Sequence, residues 1–389
     1  MRLTLAALPL SLALTACNFQ FNDDAEKDKV DQAATAPDPT ATAPLVAMAA
    51  QDLAPGQPLD PAAADDKPRP SMQAQVVLDR LGFTPGVVDG RNGLSTRNAI
   101  SGFQEANDMP VTGKLDPATT DALAKWSNIP ATRLVTIPAD FAAGPFVKLP
   151  EEPADQAKLP TLGYESLDEK LAERFHTTVA TLAELNPLEA PEPSPAASGA
   201  SPVPGAPLPS RFAAGQQIRV PNIGHDQIEP ADVKNARWLN TMASLGVGSD
   251  QPAATKIVVS KSKGTLKTFD ESGKLIGMFT ATMGSTNDPL PLGQWKILGT
   301  AYNPPFHYNP KLFWDVSDTQ TKELLPPGPN SPVGVAWIDL NKEHYGIHGT
   351  PRPETIGRAE SHGCVRLTNW DVARLAQMVS QKTQVLFEA

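Results

Sequence analysis

The residues best suited to chemistry lie in the last 45 positions of this 389-residue chain. Cys364 stands in Ser361-His362-Gly363-Cys364-Val365-Arg366-Leu367, and His348 stands upstream in Tyr345-Gly346-Ile347-His348-Gly349-Thr350. A thiol with an ordinary pKa of about 8.5 is mostly protonated at neutral pH, so it needs a base before it can attack. A histidine brought alongside from another strand supplies that base. A helix expected to begin near Asn369 lies close behind, and its N-terminal dipole favours thiolate. Gly363 allows a tight turn, and the amides around His362, Gly363 and Cys364 can face a developing oxyanion. The combination is that of covalent acyl transfer. A zinc site built from His344, His348, His362 and Cys364 competes with it. That alternative is disfavoured because His344 and His348 are expected on one strand, roughly 13 Å apart, too far for tetrahedral ligation.

The elements that must position this pair read as a mostly β domain over residues 256–389. Short runs rich in Val, Ile, Thr and aromatics fall at 257–260, 265–269, 275–282, 295–299, 335–339, 345–348 and 384–387, with Gly, Pro, Asn or Asp between most of them. One helix follows a cap at Thr368 or Asn369, with Val372, Leu375, Ala376 and Val379 on one face. Tyr302, Phe306, His307, Tyr308 and Trp314 crowd a Pro- and Asn-rich insertion able to form a lid. Most of these aromatics are expected to pack within it, and Tyr308 to reach substrate.

Further upstream, Ala74, Val77, Leu78 and Leu81 mark an amphipathic helix ended by Gly82 and the Pro85-Gly86 turn. Ser95 is a candidate cap for a second helix with Ala99, Ile100 and Phe103 inward. Asp116-Pro117 opens a third. Residues 18–66 carry ten acidic side chains and two lysines, which reads as a solvated tether without structure of its own. A second low-complexity stretch, 187–210, is dense in proline. The net charge of −10 argues against a nucleic-acid binder. Two cysteines exclude a disulfide-stapled scaffold and a cysteine-built metal cluster.

Several segments resemble known families. Leu3 to Leu14 is too short to span a bilayer. With Arg2 before it and Leu14-Thr15-Ala16-Cys17 after it, it resembles a lipoprotein signal, 1–16, with Cys17 acylated and a tether over 17–70. Asn18 after the cysteine points to a periplasmic protein anchored at the outer membrane. The pattern Gln75-x-x-Leu78-x-x-Leu81-Gly82-Phe83, Asp89-Gly90, Ala99-x-x-x-Phe103-Gln104 and Thr112-Gly113-x-Leu115-Asp116 resembles the three-helix peptidoglycan-binding domain, here 71–128. A spacer bundle with no ligand is the alternative. Leu182-x-x-Leu185-Asn186-Pro187 and Gly215-Gln216-x-Ile218-x-Val220-Pro221 resemble a LysM module, an α+β unit over 133–228 interrupted by the Pro-rich insertion. Glycan binding and a platform role stand level for it.

His348-Gly349-Thr350 with Ser361-His362-Gly363-Cys364-x-Arg366-Leu367 resembles the L,D-transpeptidase (YkuD-type) catalytic family. The resemblance implies a β-sandwich-like domain and a peptidoglycan L,D-transpeptidase, a cysteine acyltransferase with no cofactor or metal. Cys364 would attack a tetrapeptide stem, release D-alanine, and pass the acyl group to an amine of a second stem or of a protein such as an envelope lipoprotein. Water as acceptor would make the chain an L,D-carboxypeptidase, and a non-catalytic membrane-to-wall anchor is the rival from another class. By the same resemblance His348 is the general base and acid, and the Gly349 carbonyl orients it. His362 and Gly363 hold oxyanion and loop positions, Ser361 is a loop hydrogen-bonder, and Arg366 either meets a substrate carboxylate or braces the loop.

Overall fold

The computed structural model describes Met48, Asp65 and residues 67–187, 208–224, 226–314, 316–317 and 319–389. The signal segment, Cys17 and most of the tether and Pro-rich insertion lie outside the described residues. All described residues fall within one unit, 37–389.

The first module is three helices, α1 (Pro70–Arg80), α2 (Leu94–Ala106) and α3 (Pro117–Leu123). Two buried glutamines explain much of its sequence pattern. The Gln75 carbonyl oxygen accepts from the Asp89 and Gly90 amides at 3.1 and 2.7 Å, while its amide nitrogen donates to Thr96 at 3.0 Å. Gln104 does the same for the Thr112 and Gly113 amides at 2.8 and 2.9 Å. Each glutamine thus ties a helix to a loop whose backbone would otherwise be buried without partners. The Asp116 side chain caps α3 by accepting from Thr119 N at 2.9 Å. Ser95 does not cap α2: the helix begins one residue earlier, behind Gly93 in extended conformation.

The second module pairs β1 (Thr132–Thr136) antiparallel with β2 (Gln217–Pro221), around α4 (Leu167–Arg174) and α5 (Val179–Leu185). Ser166 and Thr178 cap the two helices. The tether expectation fails at two points. Met48 is fully buried in this module's core, and its carbonyl accepts from Arg133 and Arg174 at 2.5 and 3.2 Å. Asp65 binds Arg69 at 2.6 Å and the Thr132 amide at 3.1 Å.

A helix absent from the sequence reading, α6 (Ala236–Leu245), follows. Asn235 caps it and Gly246 ends it in the left-handed conformation at φ 65°. Its Trp238, Met242 and Leu245 belong to the core of the β-rich domain, so that domain begins earlier than its strands.

Nine strands then form one sheet in the order β5-β4-β3-β13-β7-β10-β11-β12-β6. These are β3 (Lys256–Ser260), β4 (Thr265–Phe269), β5 (Leu275–Thr280), β6 (Thr282–Met283), β7 (Gly293–Tyr302), β10 (Ala336–Leu340), β11 (Gly346–His348), β12 (Val365–Arg366) and β13 (Gln384–Glu388), with β8 (Phe306–Tyr308) and β9 (Glu323–Leu325) as a separate hairpin. The ten-residue β7 pairs with β13 through its first half and β10 through its second, so it joins both halves of the sheet. Helix α7 (Asn369–Met378), capped by Thr368, packs its Val372, Leu375 and Ala376 into the core.

The modules meet through backbone and side-chain hydrogen bonds. The first module covers the edge strand β5: Thr84 N donates to Met278 O at 2.9 Å, and Met278 N to Gly82 O at 3.1 Å. An exposed strand edge is a pairing hazard, and this contact removes it. A Cβ added at Gly102 would come within 2.9 Å of Met278 atoms, so only glycine fits there. Asp79 of α1, fully buried, takes two hydrogen bonds from Arg374 of α7 at 3.0 and 2.9 Å, and His176 Nδ1 lies 3.4 Å away. Burial alone would raise the Asp79 pKa, but Arg374 and His176 together hold it well below the usual carboxylate range.

Candidate active site

The strand register assembles the site. β11 and β12 run parallel with Ile347 opposite Val365 and His348 opposite Arg366. Cys364 therefore sits at the mouth of β12 beside Gly346, and its thiol donates to the His344 carbonyl at 3.5 Å. On the other side β11 pairs with β10, with Trp337 opposite His348. The indole and imidazole stack at 5.3 Å and 17°. Gly346 makes room for that indole, since a Cβ there would come within 2.5 Å of the ring. Trp337 was not foreseen from the sequence; its place opposite His348, with Gly346 two residues before, is the signal that could have found it.

His348 is buried, and its Nδ1 lies 2.7 Å from the Gly349 carbonyl oxygen. A carbonyl only accepts, so Nδ1 carries the proton and Nε2 keeps its lone pair. Burial, reinforced by the positive Arg366, lowers the imidazole pKa to about 3. Cys364 is partly exposed, yet burial of the thiol pushes its pKa up to about 11, against the opposing pulls of the Gly346 backbone and Arg366. The expected lowering by the dipole of α7 is thus overridden: desolvation is the larger effect here, and the pair rests as neutral thiol and neutral imidazole.

The loop before Cys364 is fixed by Ser361, which accepts from Gly284 N at 2.6 Å and donates to the Cys364 carbonyl at 2.6 Å. Gly363 has φ 93°, and a Cβ there would come within 2.6 Å of the Tyr345 ring. Arg366 spans the loop, 3.5 Å from the Glu360 carbonyl and 3.5 Å from His362 Nδ1. Bracing is therefore a role it plays in this structure. His362 in turn packs against the insertion, edge-on to Phe313 at 4.9 Å and beside Trp314 at 5.6 Å.

Tyr308 departs from expectation. It is buried, its hydroxyl donates to Gln320, and its ring stacks on Phe313 at 5.6 Å within a cluster that includes Leu162 and Leu325. It builds part of the insertion's interior. His344 also departs: it lies in a left-handed turn at φ 66° ahead of β11, not on the strand. Among the described residues, no group of three or more His, Cys, Asp or Glu is placed to hold a metal ion.

The model for the YkuD L,D-transpeptidase catalytic domain matches residues 254–386, and that for a putative peptidoglycan binding domain matches 71–123. A putative L,D-transpeptidase, YkuD of Bacillus licheniformis, is 30% identical over 140 residues, covering 36% of this chain and 69% of that protein. Another, YqjB of Bacillus subtilis, is 29% identical over 140 residues, 35% of this chain and 72% of that protein. Among solved structures, L,D-transpeptidase 3 of Mycobacterium tuberculosis aligns at 18% identity and a TM-score of 0.29, over 35% of this chain and 60% of that one.

Proposed function

The chain belongs to the YkuD-type L,D-transpeptidase family, an enzyme family, and from that premise we propose the following reaction for its own residues. The observation that carries it is the imidazole, whose Nδ1–H is tied to Gly349 O at 2.7 Å so that Nε2 is left as the base, on a strand paired with the one that Cys364 precedes. When a peptide stem occupies the cleft, the Cys364 proton passes to His348 Nε2 as sulfur bonds to the stem carbonyl carbon. Amides of the Gly363 turn stabilise the oxyanion. The tetrahedral species collapses by breaking the bond to the D-alanine nitrogen, which takes the proton from His348. A thioester remains. An acceptor amine gives a proton to His348, attacks the thioester, and the sulfur leaves to be reprotonated.

The proposal extends to the rest of the chain. The three-helix module docks peptidoglycan, the second module is a LysM-like unit, and acylated Cys17 anchors the protein in the outer membrane facing the periplasm. Tethering to the wall raises the effective concentration of stems near Cys364. Loss of membrane fractionation in Cys17→Ser tests the anchor. For the reaction, residues 18–389 are incubated with disaccharide-tetrapeptide and the products read by mass. A cross-linked dimer lacking one D-alanine is expected; a tripeptide alone would instead mean that water is the acceptor. Product formation that survives Cys364→Ala would refute the catalytic assignment.

A further inference from the structure

Helix α4 of the second module presents Glu169 and Glu173, one turn apart and so on one face, to two asparagines of the catalytic domain. Glu169 accepts from Asn330 Nδ2 at 2.7 Å, and Glu173 accepts from Asn369 Nδ2 at 2.9 Å. The two contacts differ in what lies behind them. Asn330 also donates to Gly163 O at 2.9 Å, and neighbouring backbone bonds join Leu162 to Pro327 and Asn330. That contact is a dock.

Asn369 instead reaches the catalytic strand. Its Nδ2 is fixed by Glu173 and by the Pro329 carbonyl at 3.0 Å, which leaves its Oδ1 facing the backbone. A Cβ added at Gly334 or Gly349 would come within 2.1 or 2.4 Å of that oxygen. The amide therefore lies wedged between the two glycines, against the residue whose carbonyl holds His348 Nδ1 at 2.7 Å. Gly349 N is held on the other side by Val333 O at 3.0 Å. Glu173 is itself buried, and its second oxygen accepts from Tyr164 at 3.1 Å.

We propose that Asn369, held by Glu173 of the second module, is a positioning residue that fixes the Gly349 peptide and through it the His348 imidazole, so that the catalytic centre is complete only with the second module docked. This rests on the assignment of Cys364 and His348 as the catalytic pair. Burial, with the charge of nearby Glu169, raises the Glu173 pKa to about 8, so its neutral form prevails at neutral pH. A glutamine there keeps both the neutrality and an oxygen acceptor for Asn369.

The test uses the chain from residue 18, with kcat and KM measured for tetrapeptide turnover. Glu173→Ala and Asn369→Ala are expected to lower kcat by roughly 10- to 100-fold, the scale of a catalytic group misplaced by about 1 Å, with KM within about twofold. Glu173→Gln is expected to restore kcat. Glu169→Ala is the control: it removes a docking bond on the same helix face and should lower the melting temperature while leaving kcat within about twofold. Should Glu173→Ala fail to fold, Asn369→Ala reads the same contact from the catalytic side. The proposal is overturned if Asn369→Ala keeps the wild-type kcat, or if Glu173→Gln is as impaired as Glu173→Ala. It also falls if Glu169→Ala loses as much kcat as Glu173→Ala, which would make the junction a dock only. A wild-type chain that makes no product removes the catalytic reading itself, a separate failure.

Discussion

Burial holds Cys364 and His348 in their neutral forms, the thiol by raising its pKa and the imidazole by lowering its own. Motif and spacing single them out, because a thiol and an imidazole expected on neighbouring strands are suited to nucleophilic work. Their resting charge does not follow, since it depends on how much protein closes around them. Burial raises the thiol to about 11 and lowers the imidazole to about 3. The sign is definite: an acid with a raised pKa holds less thiolate at neutral pH than a free cysteine. Alkylation of Cys364 by iodoacetamide should therefore be slow at pH 7 and its rate should keep rising tenfold per pH unit beyond pH 9. A plateau below pH 8 would show that thiolate is the resting form. Asn369 and Glu173 carry no signal as partners in the sequence, because the contact between them joins positions far apart.

At the scale of elements, seven strand positions and the last helix were legible from β-branched runs and from the Thr368 cap. What escaped was whatever tertiary contacts decide. Helix α6 was missed although Asn235 and Gly246 are ordinary start and stop signals. Its apolar stripe serves the core of the domain whose first strand starts at Lys256, a contact that no local pattern reveals. The charged face of α7 was equally hidden: Arg374 meets Asp79, and Trp370 stacks on His176 at 5.0 Å. Removing one member of such a buried pair leaves an uncompensated charge, which costs about 3–5 kcal/mol. Asp79→Ala is therefore expected to lower unfolding free energy by about that amount in urea titration. A change under about 1 kcal/mol, the range of a surface pair, would mean that the pair is not buried in solution.

For the whole molecule, a string of independent modules on a tether is the picture that composition suggests, and the described residues revise it. The first module seals an edge of the nine-stranded sheet, the second reaches Asn369, which packs against Gly349, and Met48 and Asp65 pack onto the second from within the expected tether. None of this shows in local pattern, because each contact joins residues far apart in sequence. The central claim is that Cys364 carries the acyl group. Its most direct test is intact-protein mass spectrometry of the chain from residue 18, mixed with tetrapeptide stem and quenched in acid. A mass increase equal to the donor minus D-alanine, mapped to Cys364 and absent in Cys364→Ala, is the predicted result. Turnover without such an adduct, or an adduct mapped to any other residue, would contradict the account.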